Sequence, residues 1–297
     1  MRRTTRFRQL VEQPEILAMP GVHDALSARI AAEAGFPAVV MGGFAATASL
    51  LGEPDTSQLS LSELADHYAR LCDAVDIPVF ADADTGFGNV TNVARTIRLL
   101  ERAGVGGLFI EDQVFPKRCG HTAGKAVIPA EEMVAKIKAA VDSRQDADLV
   151  LMARTDALAV EGIDQAIERI NLYREAGADL LFVEAPRDRN DMRRILDEAP
   201  GHHLANMVEF GLTPEMTAAE LEEIGFAVAI WPVSSVLAVT KTLRALFADL
   251  RQAGTTRHLH DRLVGFKDFT DLVGLPRVRQ REQDCLDAAR ALVSEGK

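Results

Sequence analysis

An amphipathic stretch that ends in Ala-Gly, followed at once by a short apolar run, recurs along this chain and leaves it few ways to fold. The unit is seen at Glu33-Ala34-Gly35-Phe36-Pro37 before residues 38–41, at Arg102-Ala103-Gly104 before 107–110, and at Glu175-Ala176-Gly177-Ala178 before 180–183. Glycine just past a helix accepts the left-handed conformation that ends it, and an apolar run of this length suits a parallel strand buried on both faces. Further runs at 16–19, 79–81, 149–153, 203–206 and 227–231 complete a set of eight. Eight strands alternating with helices predict an α/β chain closed as a (β/α)8 TIM barrel; a doubly wound sheet uses the same alternation and is the alternative. The 297 residues, 47% hydrophobic, can build one large core, so residues 1–297 read as a single barrel domain. Beyond Trp231-Pro232 the pattern turns mostly helical, more than one barrel repeat needs, and the surplus over 236–297 is expected to make subunit contacts.

Charge and cysteine usage narrow the partners. A formal net charge of -11 with no long Lys/Arg run argues against nucleic acid and against an anionic membrane surface. Residues 1–9 are basic but lack the apolar stretch of a signal peptide, and no apolar run approaches the roughly 20 residues of a membrane span. A soluble, cytoplasmic protein is expected. Cys72, Cys119 and Cys285 are odd in number and form no CxxC pair, which predicts free thiols in a reducing compartment, with Cys72 and Cys285 used in packing.

In a parallel barrel the chemistry lies at the C-terminal ends of the strands, so the residues directly after each apolar run are the candidates. They are Asp82 and Asp84, then Glu111, then Arg154, Glu184, Asn206 with Glu209, and Pro232 with Ser234. Asp-x-Asp alone could equally cap a helix or pair with Arg154. Carboxylates from several strand ends at one mouth, however, need a cation to remain ionised together. Hard oxygen donors without thiolate or imidazole suit Mg2+, with Mn2+ a possible substitute, and Asp82, Asp84 and Glu111 are its expected ligands. Gly86-Phe87-Gly88 reads as a place where backbone approaches the metal. His202-His203, at the opposite end of the barrel, and His258 and His260 read as surface residues.

The second constellation is Phe115-Pro116-Lys117-Arg118-Cys119-Gly120-His121, an exposed loop leaving the same mouth, with Gly124 and Lys125 just beyond. Cations beside Cys119 favour its thiolate, and the group could also hand a proton to a carbanion. A cationic loop over a magnesium site suits a small dianionic carboxylate, on which it would close and exclude water.

These segments, together with Asp82-Ala83-Asp84-Thr85-Gly86-Phe87-Gly88, Ile110-Glu111-Asp112-Gln113 and Ala153-Arg154-Thr155-Asp156-Ala157, resemble the isocitrate lyase and phosphoenolpyruvate mutase superfamily, most of all its 2-methylisocitrate and 2,3-dimethylmalate lyases. The resemblance implies a barrel whose last helix is exchanged between subunits of a homotetramer, and a Mg2+-dependent carbon-carbon lyase that cleaves a 2-hydroxy dicarboxylate to pyruvate and a second acid. It further implies that Cys119 is the acid-base residue, helped by Lys117, His121, Glu111 and Arg154. Gly42, Gly43, Asp55, Gly120, Glu184, Asn206, Pro232 and Ser234 would then surround the substrate. Two departures bear on the substrate: Gly42 stands where the family often has a serine, and Thr122 stands where methylisocitrate lyases have an arginine, which argues against a tricarboxylate. Carboxyphosphonoenolpyruvate mutase and oxaloacetate hydrolase or decarboxylase chemistry on the same site, and a non-catalytic metal-binding barrel, are the other readings.

Overall fold

The computed structural model describes residues 1–120, 122 and 124–295. The chain divides into two compact units, Met1–Val239 and a second from Thr240 onward.

The first unit carries eight parallel strands: β1 Leu17–Pro20, β2 Val39–Met41, β3 Val79–Asp82, β4 Gly107–Glu111, β5 Val150–Thr155, β6 Leu180–Val183, β7 Leu204–Asn206 and β8 Val228–Trp231. Ladders run β2 through β6 in sequence order and β7-β8-β1 around the other side. Parallel bridges join the two arcs, Gly21 to Val40 and Leu181 to His203, and these close the ring as a TIM barrel. All eight runs read from the sequence are strands, seven of them displaced by one or two residues at one or both ends and the run 180–183 unchanged. The three Ala-Gly endings take positive φ at Gly35 (89°), Gly104 (88°) and Gly177 (108°), as helix termination there requires.

Alternation along each strand sorts side chains into two cores. Val40, Phe80, Phe109, Met152, Phe182, Leu204 and Ile230 fill the barrel interior, while Val39, Val79, Leu108, Leu151 and Leu181 face the surrounding helices. The helix Arg3–Glu12 closes the N-terminal end: its fully buried Phe7 joins the interior core and stacks on Phe80 at 5.1 Å between ring centroids, and Phe80 in turn lies 5.7 Å from Phe109. Gly106 and Gly107 leave room for that ring, since a Cβ at either would come within 3.0 Å of Phe7.

One expectation is corrected. His203 is not a surface residue: it lies in the bridge to β6, is 1% exposed, and its Nε2 meets the Ala199 carbonyl at 2.6 Å. Burial lowers its pKa to about 4, so the imidazole is neutral. Gly86 and Gly88 are required by the turn itself: φ is 81° and 140°, and a Cβ would strike Val93 at 2.5 Å or Asn92 at 2.4 Å. His202, His258 and His260 are exposed as expected.

The helix Ser234–Ala253 leads into the second unit, which continues with a 3-10 turn Arg257–Arg262 and the helices Phe266–Leu272 and Leu275–Glu295. Phe247, Val264, Phe266 and Leu292 are exposed there. Among the described residues no helix is long and apolar enough to cross a membrane.

Candidate active site

Strand register aims the site. Gly42, Asp82, Glu111, Arg154, Glu184, Asn206 and Pro232 each stand two residues beyond an interior side chain, on Val40, Phe80, Phe109, Met152, Phe182, Leu204 and Ile230 respectively. A period of two therefore turns all seven toward the inside of the C-terminal mouth. The non-glycine residues with positive φ, Ser57, Asp84, Phe87, Ala185 and Phe210, all lie in loops of this face. Backbone strain of this kind collects where a loop must aim a group.

The mouth opens into a cavity of about 310 Å³ lined by Gly42, Gly43, Asp55, Asp82, Lys117, Cys119, Gly120, Arg154, Glu184, Asn206 and Pro232, together with an apolar wall from Val40, Phe44, Phe109, Phe182, Val208, Phe210, Ile230, Val233 and Leu237. With Glu209, which also lines it, twelve residues singled out from the sequence thus share one pocket. Ser234 does not line it; its hydroxyl donates to Glu209. Asp84 and Glu111 stand behind the lining and are fully buried. His121 lies outside the described residues. The apolar wall escaped sequence reading because Phe44, Val208 and Leu237 sit on helices and loops where an apolar residue carries no signal of its own.

Charge in the mouth is organised around two buried cations. Lys117 Nζ pairs with Asp55 at 2.8 Å and Asp84 at 2.9 Å. Burial works against its charge, but Asp84, Asp82, Glu111 and Asp55 outweigh that and raise it well above the ordinary lysine range. Arg154 meets Glu111 at 3.2 Å, Asp156 at 2.8 Å and Glu184 at 3.1 Å, and its guanidinium lies 5.2 Å over the Phe182 ring. Asp82 accepts from the Gly43 amide at 2.8 Å and from the Asp84 amide at 2.8 Å, which fixes its carboxylate at the strand end.

With Lys125 beside Asp156, three cations face the six carboxylates Asp55, Asp82, Asp84, Glu111, Glu184 and Asp156, which leaves a surplus of negative charge. Burial pushes the Asp84 pKa to about 6 despite Lys117 and raises Glu111 well above the carboxylate range despite Arg154, and the neighbouring carboxylates add to both shifts. Asp84 Oδ1 and Glu111 Oε2 are buried, and each is met by a single cation, Lys117 Nζ at 2.9 Å and Arg154 Nε at 3.2 Å, without a further hydrogen bond. A divalent cation would answer both conditions. Among the described residues no three His, Cys, Asp or Glu side chains converge tightly enough to hold an ion unaided. The donor set therefore fits a cation that takes one or two carboxylates and completes its shell with water and substrate oxygens, the habit of Mg2+ and not of structural zinc.

The limb of the loop that leads into Cys119 is tied down by side chains. Gln113 Nε2 donates to Glu111 at 3.0 Å and to the Arg118 carbonyl at 2.9 Å, while its Oε1 accepts from the Arg118 amide at 3.1 Å. The Lys117 amide donates to Ser57 Oγ at 2.9 Å. Cys119 is half-buried at the pocket edge, and Gly120 is pressed on the Arg154-Glu184 pair so closely that a Cβ would lie 2.4 Å from Arg154 Nη2.

The phosphoenolpyruvate phosphomutase family model matches residues 7–251. The chain is 44% identical over 284 residues to 2,3-dimethylmalate lyase of Eubacterium barkeri, covering 96% of this chain and 98% of that one. It is 46% identical over 275 residues to the chloroplastic carboxyvinyl-carboxyphosphonate phosphorylmutase of Arabidopsis thaliana (91% and 81% covered), and 42% identical over 288 residues to 2-methylisocitrate lyase of Aeropyrum pernix (97% and 92% covered). A crystal structure of 2,3-dimethylmalate lyase superposes with a TM-score of 0.91 at 35% identity, covering 96% of both chains. Phosphonopyruvate hydrolase, solved with oxalate and Mg2+, superposes with a TM-score of 0.86 at 29% identity over 95% of this chain and 99% of that one.

Proposed function

The chain belongs to the phosphoenolpyruvate phosphomutase family, and on that premise we propose that it is a Mg2+-dependent carbon-carbon lyase cleaving a small 2-hydroxy dicarboxylate to pyruvate and a second carboxylic acid. The observation that carries this reading is the meeting, in one cavity, of Cys119 and Gly120 with the Arg154-Glu184 pair and the Asp82 carboxylate. Asp82 and Asp84 would hold the ion, partly through water, with Glu111 beside them, and the ion would supply Lewis-acid polarisation of the substrate's hydroxyl and carboxylate oxygens. The phosphonopyruvate hydrolase complex with Mg2+ and oxalate supports this choice of cofactor, and Mn2+ is the natural substitute.

Arg154, held on three carboxylates, offers a fixed positive charge to the substrate carboxylate. The Gly42-Gly43 turn, which opens the helix Gly43–Leu51, brings backbone to the pocket where a side chain would fill it: at Gly43 a Cβ would lie 3.0 Å from Lys117 Nζ. As the hydroxyl gives its proton to water in the mouth, its oxygen becomes the carbonyl of pyruvate, the bond between C2 and C3 breaks, and that electron pair passes to the departing fragment, which Cys119 protonates. The apolar wall suits alkyl substituents. It favours a substrate of the 2,3-dimethylmalate type, giving pyruvate and propionate, over 2-methylisocitrate, whose succinate half carries one carboxylate more. The similarity to the chloroplast mutase supports a second reading, phosphonate chemistry on the same site.

We further propose a cytoplasmic homotetramer with exchanged C-terminal helices. Exposed Leu243, Phe247, Phe266 and Phe269 support the assembly, and the free thiols support the compartment. Release of a 2-oxo acid, coupled to NADH oxidation, tests the activity with Mg2+ and then EDTA: pyruvate from 2,3-dimethylmalate and 2-methylisocitrate, glyoxylate from isocitrate, and pyruvate from oxaloacetate by decarboxylation. Metal-dependent release that is lost in Cys119→Ser is expected. No release from folded, oxalate-binding protein would replace the lyase reading by the phosphonate one.

A further inference from the structure

Lys125 takes part in none of the steps above, yet it is a buried lysine placed between the Cys119 loop and the barrel. Its side chain is 3% exposed, and Nζ donates to Asp156 Oδ1 at 2.8 Å and to the Gly120 carbonyl. Asp156 is fully buried; its Oδ2 accepts from Arg154 Nε at 2.8 Å and its Oδ1 also accepts from Arg154 Nη2 at 3.1 Å. One ammonium thus joins a loop carbonyl to the carboxylate that orients the guanidinium of the pocket. Lys125 does not line the cavity.

We propose that Lys125 is a positioning residue for the reaction, fixing Cys119 over the substrate by tying Gly120 to Asp156 and, through it, to Arg154. The inference rests on the reading of Cys119 as proton donor. A buried ammonium is costly unless each of its acceptors stays in place, so the group ties the two acceptors to each other. One acceptor is anchored: the Asp156 amide donates to Asp112 Oδ1 at 2.9 Å, and Asp112 Oδ2 accepts from Thr155 at 2.7 Å and from Tyr173 at 2.8 Å. The other belongs to the residue after Cys119, in a loop whose N-terminal limb is already held by Gln113, Ser57 and Lys117. Lys125 supplies the second point of attachment, and two points define where the thiol stands. Lysine suits the task because its ammonium is a compact charge with three rotatable protons, whereas a flat guanidinium demands more exact partners.

The test compares wild type with Lys125→Met and Lys125→Arg, reading steady-state kinetics, oxalate affinity in Mg2+ by calorimetry, and tryptic cleavage after the exposed Arg118. Displacing a reacting group by an ångström costs about 100-fold, so kcat of Lys125→Met should fall about 100-fold while KM and oxalate affinity stay within about threefold. Lys125→Arg should recover at least about a tenth of wild-type kcat, and cleavage after Arg118 should quicken in Lys125→Met with oxalate bound. Wild-type kcat in Lys125→Met overturns the proposal, as does a parallel loss of oxalate affinity or folding in both variants, which would mark Lys125 as structural. If wild type turns over none of the panel, the lyase reading fails separately and the tryptic cleavage decides: unchanged cleavage overturns the role of Lys125, and faster cleavage supports it.

Discussion

Adding a single methyl group at Gly120 should disable the enzyme without unfolding it. Gly120 does not have positive φ, so its backbone accepts alanine; only space forbids it. The new Cβ would lie 2.4 Å from Arg154 Nη2 and 2.6 Å from Glu184 Oε2. Neither neighbour can give cheaply, because Arg154 is held by Asp156, Glu111 and Glu184 together and Glu184 is buried against it. Restoring ordinary carbon-nitrogen contact means retreat of the loop by roughly 1 Å. Cys119 is the adjacent residue and moves with it. A displacement of that size costs about 100-fold in rate, equal to about 2.7 kcal/mol of barrier. Fold stability should change little, since the loop and not the barrel moves to relieve the clash, and Gly→Ala removes about 0.4–1 kcal/mol of unfolded-state freedom in partial compensation. The assay is Mg2+-dependent pyruvate release beside thermal unfolding and oxalate binding. A Gly120→Ala enzyme with kcat within about threefold of wild type would refute the claim that the loop rests on the Arg154-Glu184 pair.

Further expectations concern the scaffold. Phe7→Ala should cost about 4 kcal/mol in urea unfolding, because a fully buried ring that stacks on Phe80 leaves a void at the floor of the barrel. Its kcat under native conditions should stay near wild type, the site being at the other end; a stability loss under about 1 kcal/mol would show that Phe7 is not the plug it looks to be. His203, held neutral with a pKa of about 4 against an ordinary 6.5, penalises the folded state as pH falls, because the unfolded chain takes up a proton first. Stability should therefore be lost from about pH 6.5 downward, amounting to about 2 kcal/mol at pH 5, and His203→Gln should flatten that part of the profile. An unchanged slope in the variant would assign the acid sensitivity elsewhere.

Periodicity and punctuation along the chain were enough to determine the element order. Eight apolar runs, three of them preceded by Ala-Gly endings, stood out because each is a local pattern, and the polar residue that follows each run marked the mouth. The same patterning holds the aim of the site, since Asp82, Glu111, Arg154, Glu184 and Asn206 lie two residues past Phe80, Phe109, Met152, Phe182 and Leu204. Tertiary structure alone decided who meets whom. Closure depends on the bridges of Gly21 to Val40 and Leu181 to His203, which also buried a histidine that local polarity placed at the surface. The pairing of Lys117 with Asp55 and Asp84, the link of Lys125 to Asp156, and the turn of Ser234 toward Glu209 join residues from separate loops. Periodicity tells which way a side chain faces; the distance between two side chains depends on strand stagger and loop path, which no short window of sequence encodes.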